Sequence, residues 1–151
     1  MKIDYKRLII SIAVPLLLGV LVGFLSGSWN NYKMINEPSF APPGIVFPIV
    51  WSILYTLMGI SYYIVSENEN NKYAIYIYDI QLIVNLLWSF IFFRFNLYLF
   101  SFIWIIILII LVIIMIKEFY SINKISAYIQ IPYLLWLIFA AILNFAIYLL
   151  N

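Results

Sequence analysis

The side chains in this sequence with chemistry to offer are indoles, phenols and carboxamides set out in helical stripes. Trp51 and Tyr55 are four residues apart, so on a helix their rings share a face. Asn85, Trp88, Ser89 and Phe92 follow the i, i+3, i+4, i+7 spacing of a single stripe, and Trp136, Phe139, Ala140, Leu143 and Asn144 form a second. Histidine and cysteine are both absent. That excludes thiol nucleophiles, disulfides, imidazole acid–base catalysis and zinc sites. No carboxylate pair accompanies the stripes, so no conventional acid–base or nucleophile site is expected, and no metal site. What the stripes offer is a grip on a large flat apolar molecule, held between rings and oriented by indole N–H groups and carboxamides. The plainer reading of Asn85 and Asn144 is interhelical hydrogen bonding, which averages only about 0.6 kcal/mol per bond in membranes. Both readings stand for these two residues.

The elements that must carry the stripes follow from composition. Two thirds of the chain is hydrophobic (67%), 9% is charged and the mean hydropathy is +1.09. A soluble domain carries about a quarter charged residues, so the solvent for this chain is lipid. The expected fold is an all-α integral membrane bundle, a single domain over 1–151. Its five spanning helices are expected at about 8–26, 44–65, 73–93, 97–116 and 125–150, with a long loop between the first two. A cleaved signal peptide is the rival reading of the first segment, but Leu8–Leu25 is longer than a usual signal core. Gly19, Gly23 and Gly27 make a small-residue face on that helix, suited either to packing within the chain or to a homodimer. Asp79 lies inside the third segment but near Lys72, Tyr76 and Tyr78, a setting that suits the headgroup level. Trp104 is read as a packing or lipid-facing residue, and Pro132 as a bend early in the fifth helix.

Basic residues fall mostly on one side of such a bundle. Lys2, Lys6, Arg7, Lys72, Lys117 and Lys124 gather on the N-terminal side, against Lys33 and Arg94 on the other. The positive-inside rule then puts the N-terminus in the cytoplasm and the long loop outside. The net charge of +2 and the lack of a long basic run give no sign of nucleic-acid binding. On this topology Trp51, Trp88 and Trp136 all lie in the outer half of the bundle. The loop above them, which contains Trp29, Tyr32, Met34 and Phe40, is expected to pack over them as a lid.

The most distinctive stretch is Glu37–Gly59, where Pro38, Pro42, Pro43 and Pro48 make a stiff lead-in to a helix with Pro48 in its first turn. Trp29–Gly59, Asn85–Phe93 and Ile131–Asn151 together resemble the signature regions of the TspO/MBR family, also known as the tryptophan-rich sensory protein, translocator or peripheral benzodiazepine receptor family. The resemblance runs the length of the chain, and it implies porphyrin binding in an aromatic pocket. It implies a ligand-binding set of Tyr32, Pro42, Trp51, Tyr55, Asn85, Trp88, Ser89, Trp136, Phe139, Ala140 and Asn144. Without histidine, a porphyrin is expected as a ligand held by its faces and carboxylates, not as a haem cofactor ligated through iron.

Three roles are compatible with that resemblance. The first is a tetrapyrrole-binding protein with a sensory or regulatory part in porphyrin handling. The second is a transporter of porphyrins or other apolar ligands, with Pro48 and Pro132 as hinges. The third is a light-dependent porphyrin-degrading enzyme, in which Trp51 and Trp136 would be the reactive indoles. Animal relatives bind cholesterol, but here Tyr148 is followed only by Leu149, Leu150 and Asn151 instead of a basic residue. The expected location is a bacterial plasma membrane, with the lipid bilayer and a flat apolar ligand as partners.

Overall fold

The computed structural model describes residues 2–151, and every regular element among them is helical. The elements are α1 Tyr5–Ser26, α2 Ser28–Asn31, α3 Val46–Ser66, α4 Lys72–Ser89, α5 Tyr98–Ile122, α6 Lys124–Ile129 and α7 Ile131–Leu150. Five stretches are long and apolar enough to cross a bilayer: α1, α3, Lys72–Arg94, α5, and α6 with α7. The membrane bundle expected from composition is the fold observed.

Local sequence sets the ends of these helices. The Asp4 carboxylate accepts the Arg7 amide at the start of α1. Gly27, at φ 71°, closes α1 by donating its amide to the Gly23 and Phe24 carbonyls. Arg7 pairs with Glu67 beyond α3, and the Arg94 guanidinium reaches the Leu25 carbonyl at 3.3 Å. Both ends of α1 are therefore tied to its neighbours. After α4 the backbone widens over Phe90–Arg94, where the Phe95 amide donates to the Phe90 carbonyl at 3.0 Å. Asn96, at φ 54°, then makes the turn into α5.

Two helices depart from the sequence reading by more than a turn. The fourth is expected to end at Ile116, but α5 runs on to Ile122. Its buried face, Ile105, Leu108, Val112, Met115 and Phe119, alternates steps of three and four straight past Lys117 and Glu118. The charges leave the apolar run without ending the helix. The fifth predicted helix is two: α6 stops at Ile129 and α7 begins after Gln130 with Pro132 in its first turn, where the missing amide has no intrahelical partner to lose. The bend expected at Pro132 is thus a break just before it.

The glycine stripe of α1 faces into this chain. A Cβ at Gly19 would lie 2.8 Å from Tyr55 Cδ2, Gly23 looks towards Ser28, and Gly27 is the helix cap. Packing within the bundle, one of the two readings of the stripe, accounts for Gly19, and the cap for Gly27.

Candidate functional site

Beneath the loop, and bounded by all five spanning helices, lies a cavity of about 660 Å³. Pockets of roughly 300–1,000 Å³ hold drug-sized ligands. Of the residues expected at a site, Tyr32, Trp51, Tyr55, Asn85, Trp88, Ser89, Trp136, Ala140 and Asn144 line it. Pro42 and Phe139 do not. Pro42 acts one step back, its carbonyl accepting the Tyr32 hydroxyl at 3.2 Å. Phe139 lies on the other flank of its stripe and lines a separate groove of about 430 Å³ with Val50, Ile53, Pro132 and Leu135. Trp136 borders both spaces. Trp104 and Asp79 stand apart: the Trp104 indole donates to the Val84 carbonyl at 2.8 Å, a packing role, and Asp79 is exposed on the outside of the bundle.

The lid is more ordered than its sequence suggests, because it contains α2 and a tight turn over Tyr32–Met34. Its anchors are not the expected set. Trp29, Met34 and Phe40 stay exposed (60%, 85% and 49%), while Tyr32 and Ile35 are the residues buried. Tyr32 meets Phe47 edge-on at 4.9 Å, and Phe47 meets Trp136 edge-on at 5.9 Å, so the lid is keyed to the wall by rings. Asn31 donates to the Phe93 carbonyl at 2.8 Å, and Asn36 and Asn151 exchange hydrogen bonds of 3.1 and 3.0 Å. Burial, and then the charge of Glu37, pushes the Tyr32 hydroxyl up to about 12. It therefore stays protonated and donating at any physiological pH.

The floor is a buried polar chain. Tyr55 Oη donates to Asn85 Oδ1 at 2.8 Å, Asn85 Nδ2 to Tyr133 Oη at 2.7 Å, and Tyr133 Oη to Gln81 Oε1 at 2.8 Å. Gln81 ends the chain on the Met58 sulfur at 3.9 Å. Tyr133 and Gln81 were missed in the sequence reading. Their signal was there, since Gln81 lies four residues before Asn85 and Tyr133 three before Trp136, each extending a stripe by one turn. Asn144 is equally committed. It accepts from Trp88 Nε1 and Ser101 Oγ, both at 3.1 Å, and donates to the Tyr98 carbonyl at 2.9 Å. Both asparagines make the interhelical bonds of the packing reading, and both also line the cavity. Along α3, Trp51 and Tyr55 line the cavity with rings 5.4 Å apart, Gly59 presses on α1, and Tyr62 packs against Tyr78.

The tryptophans differ in one respect with a measurable consequence. The Trp88 N–H is bonded to Asn144, whereas Trp136 Nε1 is buried with no partner. Trp88→Phe loses ring volume and a hydrogen bond; Trp136→Phe loses ring volume but removes an unsatisfied donor. Ligand-free unfolding in detergent should show Trp88→Phe as the less stable variant by about 1 kcal/mol. Equal stabilities would mean that the Trp88–Asn144 bond contributes nothing.

Residues 11–150 match the model of the TspO/MBR family. The chain belongs to the TspO/MBR family. The match spans every helix that bounds the cavity. Among TspO/MBR relatives, the tryptophan-rich protein TspO of Archaeoglobus fulgidus is 38% identical over 151 residues, covering 96% of this chain and 97% of that one. Protein CrtK of Rhodobacter capsulatus is 34% identical, covering 85% and 81%. The human translocator protein is 28% identical, covering 87% and 82%. No group of three or more His, Cys, Asp or Glu able to hold a metal ion occurs among the described residues of this TspO/MBR chain.

Proposed function

We propose that this TspO/MBR protein binds tetrapyrroles in the lidded cavity and has a sensory or regulatory part in porphyrin handling. The observation that carries the reading is the convergence of Trp51, Trp88 and Trp136, from three different helices, on one cavity of about 660 Å³. Aromatic pairs add roughly 0.5–1.5 kcal/mol each beyond buried area, against the ~8 kcal/mol of a micromolar complex. Most of the affinity must then come from burying a broad ligand face, which favours large planar molecules. Tyr55 and Asn85 line the cavity, and their hydrogen-bonded chain with Tyr133 and Gln81 ties α3, α4 and α7 together beneath it. In this reading the end that gathers Lys2, Lys6, Arg7, Lys72, Lys117 and Lys124 faces the cytoplasm, by the positive-inside rule, and the lid lies on the opposite face of a bacterial plasma membrane.

The test is a titration in the dark with protoporphyrin IX, read by tryptophan quenching of detergent-solubilised protein. Wild type should saturate in the micromolar range. Trp51→Phe/Trp136→Phe should bind about tenfold more weakly, with Trp29, Trp88 and Trp104 left to report. Quenching that never saturates, or that the double variant leaves unchanged, would mean partition into the micelle. One observation favours a second reading, light-dependent breakdown of the ligand: Trp51 and Trp136 border the same cavity, close enough to a shared ligand for electron exchange with its excited state. Loss of porphyrin absorbance under light in wild type, and not in the double variant, would support it.

A further inference from the structure

The cavity is aromatic and aliphatic for most of its wall, but two charged residues of the lid, Lys33 and Glu37, also line it. They are four residues apart and opposite in sign, yet they do not pair with each other. Among the described residues the one ion pair is Arg7–Glu67, at the far end of the bundle. Glu37 lies instead beside the Tyr32 hydroxyl, whose proton its charge helps retain. Arg94, the other cation at this end, is turned to the Leu25 carbonyl and does not line the cavity. Lys33 is therefore an exposed ammonium without a carboxylate partner, at the rim of an otherwise largely apolar space.

A lysine so placed keeps its head in water while its stem follows the apolar wall. It cannot stack on a flat ligand at depth, but it can meet an anionic group that the ligand leaves at the rim. We propose that Lys33 is a specificity-determining residue of the cavity, pairing with a carboxylate on the edge of a planar apolar ligand and so favouring a free acid over its ester. This rests on the ligand-binding reading above. An exposed pair of this kind is modest in size and screened by salt. Its effect is therefore discrimination between ligands rather than the bulk of affinity.

The experiment uses dark tryptophan quenching in a neutral detergent, with protoporphyrin IX and its dimethyl ester, on wild type, Lys33→Gln and Lys33→Glu. Comparing each variant with wild type for the same ligand cancels the different micelle partition of acid and ester. Lys33→Gln should weaken the acid about threefold and Lys33→Glu more, with the ester unchanged. At about 1 M salt, where the screening length falls to roughly 3 Å, the acid difference should shrink towards none. If acid and ester shift together, or neither shifts while binding still saturates, the Lys33 assignment is overturned and the cavity reading stands. If neither ligand saturates on wild type, the cavity reading fails and Lys33 falls with it.

Discussion

Gly59→Leu should leave α1 unable to seat on α3, and even Gly59→Ala should lower stability by roughly 3 kcal/mol, the upper range of overpacking. The reason is what lies opposite. A Cβ at Gly59 would fall inside van der Waals contact with the Ile12 Cα and 2.5 Å from the Ser11 carbonyl oxygen. Both are backbone atoms, so no rotamer change relieves the clash. Ser11 is also the residue whose carbonyl Pro15, four positions on, cannot bond. The two helices thus meet where α1 offers a carbonyl freed by proline and α3 offers a residue without a side chain. Gly19 and Gly23 supply the comparison. At Gly19 the obstacle is the Tyr55 ring, a side chain rather than backbone but one held by its bond to Asn85, and at Gly23 the nearest atom is Ser28 Oγ at an ordinary 3.6 Å. Gly23→Ala should be neutral or gain up to about 1 kcal/mol from helix propensity. Denaturant titration of the three alanine variants in detergent should rank Gly59 as the most damaging and Gly23 as the least. If Gly59→Ala and Gly23→Ala unfold together, the α1–α3 crossing is looser than this geometry requires. A displaced α1 would also withdraw Leu16, Gly19 and Gly23 from the cavity wall, so at Gly59 ligand affinity should fall with stability.

The contrast between those glycines shows what the sequence disclosed and what it withheld. Their spacing announced a close approach on α1, but spacing cannot say whether the neighbour is backbone, ring or open space. The same limit applies to the stripes. Helical periodicity brought Trp51, Asn85, Trp88, Trp136 and Asn144 to one region, because a period of three to four residues is a property of the chain itself. Periodicity did not separate Phe139, which lies on the stripe yet faces the other groove, because a stripe about 100° wide has two flanks. Tyr133 and Gln81 extend the stripes by a turn, but periodicity does not mark them as hydrogen-bonding residues, because their partners sit on different helices and the bonds exist only once the bundle has packed. The lid was legible as a stiff proline segment. Its anchors were not, because Tyr32 and Ile35 are chosen over Trp29 and Phe40 by the shape of the surface beneath them.

Asn85→Leu should be the most damaging single change in the cavity floor, and it also decides whether the floor acts as a unit. Leucine nearly preserves the volume but leaves the Tyr55 hydroxyl without its acceptor and the Tyr133 hydroxyl without its donor. Tyr133 is fully buried and Tyr55 almost so, so water cannot substitute freely. In a soluble core each orphaned group costs about 1–3 kcal/mol. In membranes interhelical bonds average about 0.6 kcal/mol and reach about 1.7. The membrane scale is the relevant one here, which puts the loss at roughly 1–3 kcal/mol for the two bonds together. Ligand affinity should fall as well, because Asn85 fixes the Tyr55 ring against Trp51. The discriminating measurement is a mutant cycle, read by unfolding in detergent, that combines Asn85→Leu with Tyr55→Phe and Tyr133→Phe. Once both hydroxyls are gone, Asn85→Leu has nothing left to orphan and should add little further loss. A full additional loss would show that Asn85 acts other than through these two hydroxyls. A loss that vanishes would show that three helices are registered by one chain of hydrogen bonds. In that case the floor, by fixing Tyr55, also fixes the position of Trp51 in the wall above it.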